Sequence, residues 1–363
     1  MPSATLRATT IDADRLRRAL RVYQTPDTAR SVRELLLTLG LFATAWAVMA
    51  FALTSGRFWL YLLAVAPAAG LLLRLFMIQH DCGHGAFFAT RAANDWIGRV
   101  VGVLTLTDYE NWRRSHAIHH ATSGNLERRG VGDIDTLTVD EYRSRSPWGR
   151  LRYRLYRHPA VMFGLGPAYV FILQGRFPAR GLRGGRALWL NAMTTNLAIA
   201  SIAVLLAWLV GVGAFFLIHA PIVLLAATVG VWLFFVQHQF DRTHWADGED
   251  WNAGDAALHG SSFYDLPAPL RWMTANIGVH HVHHLSSRIP FYRLPEVLRD
   301  FPELREVGRL TLRQSLRCVP LTLWDPASRT LISFREFREN SRVADAPFIP
   351  PLPAAPASAP ATP

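Results

Sequence analysis

The sequence of 363 residues contains no lysine and only two cysteines. All 38 basic residues are therefore arginines, and the formal net charge is +11. Such a complete preference for arginine suggests a GC-rich coding genome and by itself indicates no mechanism. Cys82 and Cys318 both fall in segments that we assign to the cytoplasm below, where structural disulfides are rare. We therefore expect no structural disulfide.

Charged residues are also absent from long stretches of the chain. None occurs from residue 35 to residue 56, and none from residue 187 to residue 240. Because about 20 helical residues cross a bilayer of about 30 Å, the first stretch can hold one membrane helix and the second can hold two. Residues 58–79 form another apolar stretch, which Arg74 alone interrupts. We predict an all-α integral membrane protein with four spans, at about 35–55, 57–79, 187–210 and 214–237.

The distribution of arginines predicts the orientation. Ten arginines and no acidic residue lie between Tyr142 and Ala187, and the N-terminal segment is also rich in arginine. Because arginine-rich loops stay in the cytoplasm, both termini and this long loop are predicted to be cytoplasmic. Four residues alternate with the arginines: Leu151, Tyr153, Leu155 and Tyr156. This alternation favours a helix on the membrane surface over a site for nucleic acid, which we do not expect as a partner.

The remaining segments complete the predicted organisation. Residues 1–34 should form a cytoplasmic N-terminal helix, polar from about residue 10, with Thr10 and Asp12 as possible caps. The apolar stretch Asn94–Leu106 is too short to span a bilayer and should lie at the interface. The main domain is expected over residues 35–310 and a cytoplasmic segment over 311–343. Residues 344–363, mostly proline and alanine, predict a disordered tail. The first apolar stretch has full span length, so we expect no cleaved signal peptide.

Histidines are concentrated in three clusters. His80 and His84 lie one helical turn apart at the predicted inner end of the second span. The next two clusters share one spacing, and their members are His116, His119 and His120, then His280, His283 and His284. On a helix, each of these sets of three falls within a sector about 100° wide. His281 lies outside its sector, so we place it behind the ligands or toward solvent.

Converging imidazoles are most simply explained by a metal, because each ring needs partners for both nitrogens and histidine is a common ligand of transition metals. His238, at the inner end of the fourth span, is a ninth candidate. His219 lies 19 residues earlier, about 28 Å along a helix, and should be near the outer surface. We expect loop positions without a ligand role for His158, His244 and His259. We also expect solvated loop acids rather than ligands at Asp133, Asp135, Asp140 and Glu141.

Eight or nine neutral ligands exceed the four of a zinc site and the six of an octahedral ion, so two metal ions are implied. A nitrogen-rich pair with open positions beside a membrane suits iron, which can activate dioxygen. Zinc hydrolases are a weaker alternative because they need fewer ligands. A metal transporter or storage protein is another, although the third span offers few polar residues: Asn191, Thr194, Thr195, Asn196 and Ser201.

The three clusters resemble the histidine boxes of the membrane fatty acid desaturases. The resemblance rests on residues 80–84, 116–120 and 280–285, extends through residues 121–128, and is greatest to the bacterial acyl-lipid Δ12 (omega-6) type. It covers about residues 35–310. It implies four membrane helices with a cytoplasmic helical cap over a di-iron centre. The nine implied ligands are His80, His84, His116, His119, His120, His238, His280, His283 and His284.

The resemblance also implies a reaction in which O2 and two electrons remove two hydrogens from adjacent methylenes, leaving a cis double bond and water. It implies a location in the bacterial inner membrane, with the active site in the cytoplasm. Animal members of the family carry an asparagine one turn before the ninth histidine, where this chain has Phe234. Asn276, one turn before His280, is our candidate for the water-bridging role of that asparagine. No haem-binding domain is fused to the sequence, so we expect a separate electron donor such as ferredoxin.

A methylene offers no polar group for recognition, so the enzyme must select its position along an acyl chain by shape. Aromatic residues near the boxes are candidates for lining an apolar tunnel: Phe87, Phe88, Trp112 and Trp272. The acyl chain could arrive on a membrane lipid, on coenzyme A or on acyl carrier protein. The arginine-rich surface could hold an anionic headgroup or an acidic electron carrier. A carotenoid or alkane hydroxylase or ketolase of the same superfamily is the alternative enzyme.

Overall fold

The computed structural model describes residues 12–178 and 185–344. The predictions for Thr10 and for the tail from residue 345 onward lie outside this part of the chain. The helices are α1 (Ala13–Ala19), α2 (Thr28–Thr54), α3 (Phe58–His84), α4 (Arg91–Leu104), α5 (Tyr109–Thr122), α6 (Val139–Ser144), α7 (Pro147–Tyr156), α8 (Gly166–Ala168), α9 (Gly185–Val210), α10 (Val212–His238), α11 (Ala253–His259), α12 (Ala268–Met273), α13 (His280–Leu285), α14 (Leu294–Asp300), α15 (Leu312–Ser315) and α16 (Phe334–Ala344). The strands are β1 (Leu137–Thr138), β2 (Phe263–Asp265), β3 (Arg309–Thr311), β4 (Leu321–Asp325) and β5 (Thr330–Ser333).

Four helices are long and apolar enough to cross a membrane: α2, α3, α9 and α10. This confirms the four predicted spans and the mostly helical fold. Helices α2 and α3 pack against each other, and α10 packs on α3. The most apolar part of α9 has no buried residue, as expected for a helix that meets lipid on most sides. Helix α3 continues past the predicted end of its span to His84, so the first two histidines project from the end of a membrane helix.

The N-terminal segment is not the single helix that we predicted for residues 10–34. Helix α1 begins after Asp12, whose side chain accepts hydrogen bonds from the amides of Asp14 and Arg15. A new helix, α2, begins at Thr28 with Asp27 as its cap. Pro26 explains the break, because a proline disfavours helical geometry in the residue before it. Membrane helix α2 therefore starts seven residues earlier than the charge pattern indicated.

The arginine-rich segment is more than a surface loop. After α7, a π-helical turn over Val161–Leu165 and helix α8 lie beside α10, where the Thr228 hydroxyl donates to the carbonyl of Phe163 at 2.9 Å. A second π-helical turn follows over Tyr169–Leu173. The Arg176 guanidinium hydrogen-bonds the side chain of Asn196 at 3.0 Å, well inside α9. Arg180 and Arg183 lie outside the described residues. Arg176 thus lies against the middle of an apolar helix, where a cation is costly unless its donors are satisfied.

The predicted amphipathic helix exists as α7, but its apolar residues do not share one face. Leu151 and Leu155 are exposed, whereas Tyr153 is buried. The Tyr153 hydroxyl donates to the carbonyl of Thr322 at 2.5 Å and ties α7 to strand β4. The expectation of a membrane-facing Tyr153 is therefore wrong, because this ring belongs to the interior of the cap.

Two small sheets, which we did not predict, fasten the C-terminal segment to the cap. In the first sheet, β1 pairs in parallel with β4, and β4 pairs antiparallel with β5. In the second, β2 pairs in parallel with β3, with Phe263 opposite Arg309. The segment after residue 308 therefore pairs with one strand that precedes α10 in the sequence and with one that follows it. Trp324 of β4 is almost fully buried.

Candidate metal centre

The first two histidines lie at the end of α3. His80 and His84 are one turn apart, and α3 ends at His84, followed by the capping residue Gly85, whose φ of 66° lies in the left-handed region. A glycine takes this conformation without steric cost. The chain therefore turns away immediately after His84, and both rings point out from the end of a membrane helix.

Helix α5 carries the second cluster and is fixed to α3 and α4 through Tyr109. The Tyr109 hydroxyl hydrogen-bonds the carbonyl of Cys82 at 3.0 Å and the carboxylate of Asp95 at 2.8 Å. A Cβ atom on Gly98 would lie only 2.2 Å from the nearest ring atom of Tyr109. The glycine thus allows α4 to lie directly against the start of α5, which sets the position of the histidines further along that helix.

The third cluster lies on α13, a helix of six residues that starts at His280 itself. Asn276 does not lie one helical turn before His280 as we predicted, because it precedes the helix and because Ala275 and Asn276 have positive φ angles of 50° and 54°. The Asn276 amide donates to the carbonyl of Phe291 at 3.1 Å. Asparagine is among the few residues that adopt this conformation readily. This placement gives no support to a water-bridging role for Asn276.

All nine predicted ligands come together, in two groups whose ligand atoms lie within 4.8 Å of one another. The first group has five members and the second has four. The five are His80, His84, His116, His120 and His283, and the four are His119, His238, His280 and His284.

The two clusters of three divide between the groups in reciprocal ways. His116 and His120 join the five-histidine group, while His119, between them, joins the four-histidine group. In α13 the pair His280 and His284 joins the four-histidine group and His283 joins the other. Residues four apart on a helix differ by about 40° in direction, and the residue three along lies about 60° to the other side. Each cluster can therefore contribute to two neighbouring metals at once.

The spacing of the ring nitrogens fits metal coordination. Two ligands at right angles, each about 2.1 Å from a metal, lie about 3.0 Å apart. The Nε2 atom of His116 lies 3.1 Å from those of both His84 and His120, and Nε2 of His283 lies 3.1 Å from that of His120. In the second group, Nε2 of His238 lies 3.2 Å from that of His119 and 3.0 Å from that of His280. These nitrogens cannot all donate to one another, since a neutral imidazole has only one N–H.

Protonation and hydrogen bonding also favour metal binding. Burial and the neighbouring rings hold the pKa values of five ligands outside the membrane spans well below the usual value, and these are His116, His120, His280, His283 and His284. These rings are therefore neutral at neutral pH, as ligands must be.

Two histidines of the four-histidine group have partners for the ring nitrogen that faces away from the group. Nδ1 of His119 lies 2.5 Å from Asp133, and Nδ1 of His238 lies 3.3 Å from the carbonyl of Gly260. Such contacts leave Nε2 free to face a metal.

The structure decides between the two predicted positions of His281 and corrects one prediction about a loop acid. His281 is buried, which excludes the solvent-facing position, and its Nε2 donates to the carbonyl of Leu304 at 2.9 Å. Burial lowers the pKa of His281 to about 4. Asp133, expected to be a solvated loop acid, instead contacts His119. No sequence signal places Asp133 there, since loop 123–136 has no periodicity that would fix its path.

Histidines predicted to have no ligand role lie outside both groups. His219 stacks on the Phe215 ring near the opposite end of α10, with ring centroids 5.3 Å apart. His158 and His259 are exposed, and His244 is partly buried.

The aromatic candidates for substrate contact lie in different places. The Trp112 ring stacks on His116, with centroids 4.7 Å apart, and lies 5.6 Å from His80. Phe87 and Phe88 are buried together in the core of the cap, where Phe87 stacks on Phe291. Trp272 lies over the guanidinium of Arg74 at 4.2 Å. Among these four, Trp112 is in direct contact with the candidate ligands.

A small cavity adjoins the four-histidine group. Its volume is about 30 Å³, enough for one or two water molecules. His119, His238, Asn125, Asp133 and Phe234 are among its lining residues. The Phe234 ring lies 5.0 Å from the ring of His119 and 5.3 Å from that of His238. An apolar ring thus lies against two members of this group.

Comparison with known proteins identifies the family. Residues 57–314 match the family model for fatty acid desaturases. The chain belongs to the fatty acid desaturase family. It is 42% identical to a fatty acid desaturase of Bacillus subtilis over 89% of this chain and 91% of that one. This desaturase is thus an oxidoreductase and an integral membrane protein with four apolar spans.

Two cyanobacterial relatives from Synechocystis agree with the omega-6-like resemblance of the boxes. An sn-1 acyl-lipid omega-3 desaturase (ferredoxin) is 28% identical over 74% of each chain. An sn-1 oleoyl-lipid 12-desaturase is 26% identical over 60% of this chain and 62% of that one.

Proposed function

We propose that the nine histidines hold two iron ions and that this desaturase introduces a cis double bond into the acyl chain of a membrane lipid. The observation that carries the proposal is the pair of adjacent all-histidine groups, whose Nε2 atoms lie at the separation of ligands on one ion. A single metal could not use nine nitrogen ligands. Neutral imidazoles with open positions beside them suit iron in oxygen chemistry.

The proposed reaction consumes one O2, two hydrogens from adjacent methylenes, two electrons and two protons, and it yields one double bond and two waters. When bound, the iron pair would supply the reduction of O2. The electrons come from a separate carrier. A ferredoxin is the proposed donor, because one relative is named for it. The net charge of +11 favours an acidic protein of this type.

The chain's own residues must deliver and orient the methylenes. Aromatic rings form a row from the membrane helices to the histidines. Phe171 lies 6.2 Å from Phe76, Phe76 lies 5.4 Å from Trp112, and Trp112 stacks on His116. We propose that this row forms one wall of the acyl path, since an apolar wall with fixed rings selects a position by shape. Phe87, Phe88 and Trp272 have core partners instead and are given no part in it.

The proposed location is the bacterial cytoplasmic membrane, with both termini and the metal centre inside. The arginine-rich surface around α7 supports this orientation. Because the histidines begin at the ends of α3 and α10, the centre lies at the level where those helices leave the membrane. An acyl chain in the bilayer would then reach the metals directly from the membrane. For this reason we propose a lipid-linked acyl group as the substrate, rather than acyl-CoA or acyl carrier protein.

Expression in a bacterium that lacks polyunsaturated lipids tests the function. Gas chromatography and mass spectrometry of its fatty acids should reveal one new cis double bond, and the His283→Ala variant should give none. A hydroxylated product without a new double bond would instead support the hydroxylase alternative. Protein purified without oxygen should contain about two irons per chain. Bound zinc or copper in place of iron would count against the proposal.

A further inference from the structure

The loop that follows α5 folds back onto that helix. Gly130 and Gly132 have positive φ angles of 116° and 77°, a conformation that glycine adopts readily. A Cβ on Gly132 would lie 3.0 Å from the carbonyl oxygen of Ser115 and 3.3 Å from Cβ of His119. The missing side chain therefore lets the loop lie directly on α5, beside one of its histidines.

This close approach places Asp133 against His119. One carboxylate oxygen of Asp133 lies 2.5 Å from Nδ1 of His119, and the other accepts a hydrogen bond from the amide of Gly130 at 3.0 Å. His119 is buried, and the side chain of Asp133 is only 14% exposed. Hydrogen bonds to a carboxylate are shorter and stronger than neutral ones. The carboxylate is thus fixed at both oxygens and faces a single histidine.

We propose that Asp133 is a positioning residue for the four-histidine group. Its carboxylate keeps the proton of His119 on Nδ1, so that the lone pair of Nε2 faces the metal. This inference rests on the proposed metal centre. A carboxylate behind a ligating histidine fixes the ring orientation and raises the basicity of the ligand, and its loss weakens metal binding by about 10-fold to 100-fold.

The effect should be confined to one metal. Asp133 contacts none of the five-histidine group, whose His80 has its own carboxylate, Asp81, at 3.2 Å. The four-histidine group has one ligand fewer and adjoins the small cavity that Asp133 helps to line. Loosening His119 would therefore affect a site with fewer ligands and direct access to water. The Asp133→Asn variant should lose one metal selectively.

The experiment compares Asp133→Asn with Asp133→Glu and with Asp135→Asn, a control at an exposed carboxylate of the same loop. Each protein is purified without oxygen, loaded with iron and titrated with a ferrous chelator while iron per chain and Mössbauer spectra are recorded. In Asp133→Asn, one iron should leave at a chelator concentration about 10-fold to 100-fold lower than in the wild type, with loss of one Mössbauer component. Asp133→Glu should restore part of the retention, and Asp135→Asn should match the wild type.

The outcomes separate this inference from the proposed function. If the wild type itself does not hold two irons, the proposed centre fails. If the wild type holds two and Asp133→Asn keeps both with an unchanged titration and spectrum, the role of Asp133 is refuted. Parallel loss of both irons from Asp133→Asn would also refute it, because the carboxylate would then support the cap in general rather than one group.

Discussion

Gly83, between the two histidines of the first box, offers a sharp test of how the centre is packed. A Cβ at this position would lie 2.7 Å from the edge of the Trp112 ring, about 0.8 Å closer than an ordinary carbon contact of about 3.5 Å. Trp112 cannot simply withdraw, because its other neighbours are the ring of His116 at 4.7 Å and that of Phe76 at 5.4 Å. In Gly83→Ala, the displaced indole must press on a metal ligand.

Overpacking by one methyl group in a rigid interior costs about 1–3 kcal/mol in the free energy of unfolding. A matched control is Gly254→Ala, because a Cβ there would lie 2.7 Å from Cβ of Ala13. That clash falls between α1 and α11 and involves none of the nine histidines. The two variants should therefore lose similar stability, while only Gly83→Ala should also lose iron and activity.

The assay records the melting temperature in detergent, the iron per chain and the double-bond product for both variants. Gly83→Ala should retain less than the wild-type amount of iron and form less product, and Gly254→Ala should keep both once it is folded. Wild-type iron content and product from Gly83→Ala would refute the packing argument, because Trp112 would then have room to move without disturbing His116.

Three further predictions concern the histidines, the buried ion pair and the thiol of Cys318. His283→Ala should reduce desaturation below detection and lower iron content, whereas His219→Ala and His158→Ala should keep most activity; full loss from His219→Ala would contradict the fold. Glu34→Gln removes the charged partner of buried Arg74, 2.6 Å away, and should lower the free energy of unfolding by about 3–5 kcal/mol. Glu296→Gln, at the more exposed pair with Arg30, should lower it by at most about 1 kcal/mol. Equal melting temperatures of the two variants would contradict this prediction. Burial raises the pKa of Cys318 to about 12, so this thiol should resist alkylation at pH 8 until the protein unfolds, as mass spectrometry of labelled protein would show.

The convergence of the nine histidines could be predicted from sequence because the geometry within each cluster is local. Residues at i, i+3 and i+4 share a helix face whatever the tertiary structure, and the absence of charge locates the spans. The division into five and four could not be predicted in the same way. It depends on where α13 lies against α5, which brings His283 toward His120 and His284 toward His119. Packing between distant elements, rather than periodicity, decides this arrangement.

The loops and short strands were the least predictable parts. Strands of two to five residues carry too little alternation to be recognised. Asp133 belongs to a loop whose course depends on Gly132 lying against α5. The prediction that Asn276 lies on a helix was wrong because it has a left-handed backbone conformation, which the spacing of hydrophobic residues does not reveal. Each error concerns a position that long-range contacts determine.

The parallel pairing of β2 with β3, and of β1 with β4, has a consequence for biosynthesis. The C-terminal segment that completes the cap is synthesised last, well after the first two histidine clusters have left the ribosome. His283, which contacts His120, follows it in the sequence by 163 residues. Until then, six of the nine candidate ligands lack the third cluster, and these six are His80, His84, His116, His119, His120 and His238. Completion of the two histidine groups is thus a late event in synthesis, and quality control of a nascent chain must act on a membrane protein whose histidine groups are still incomplete.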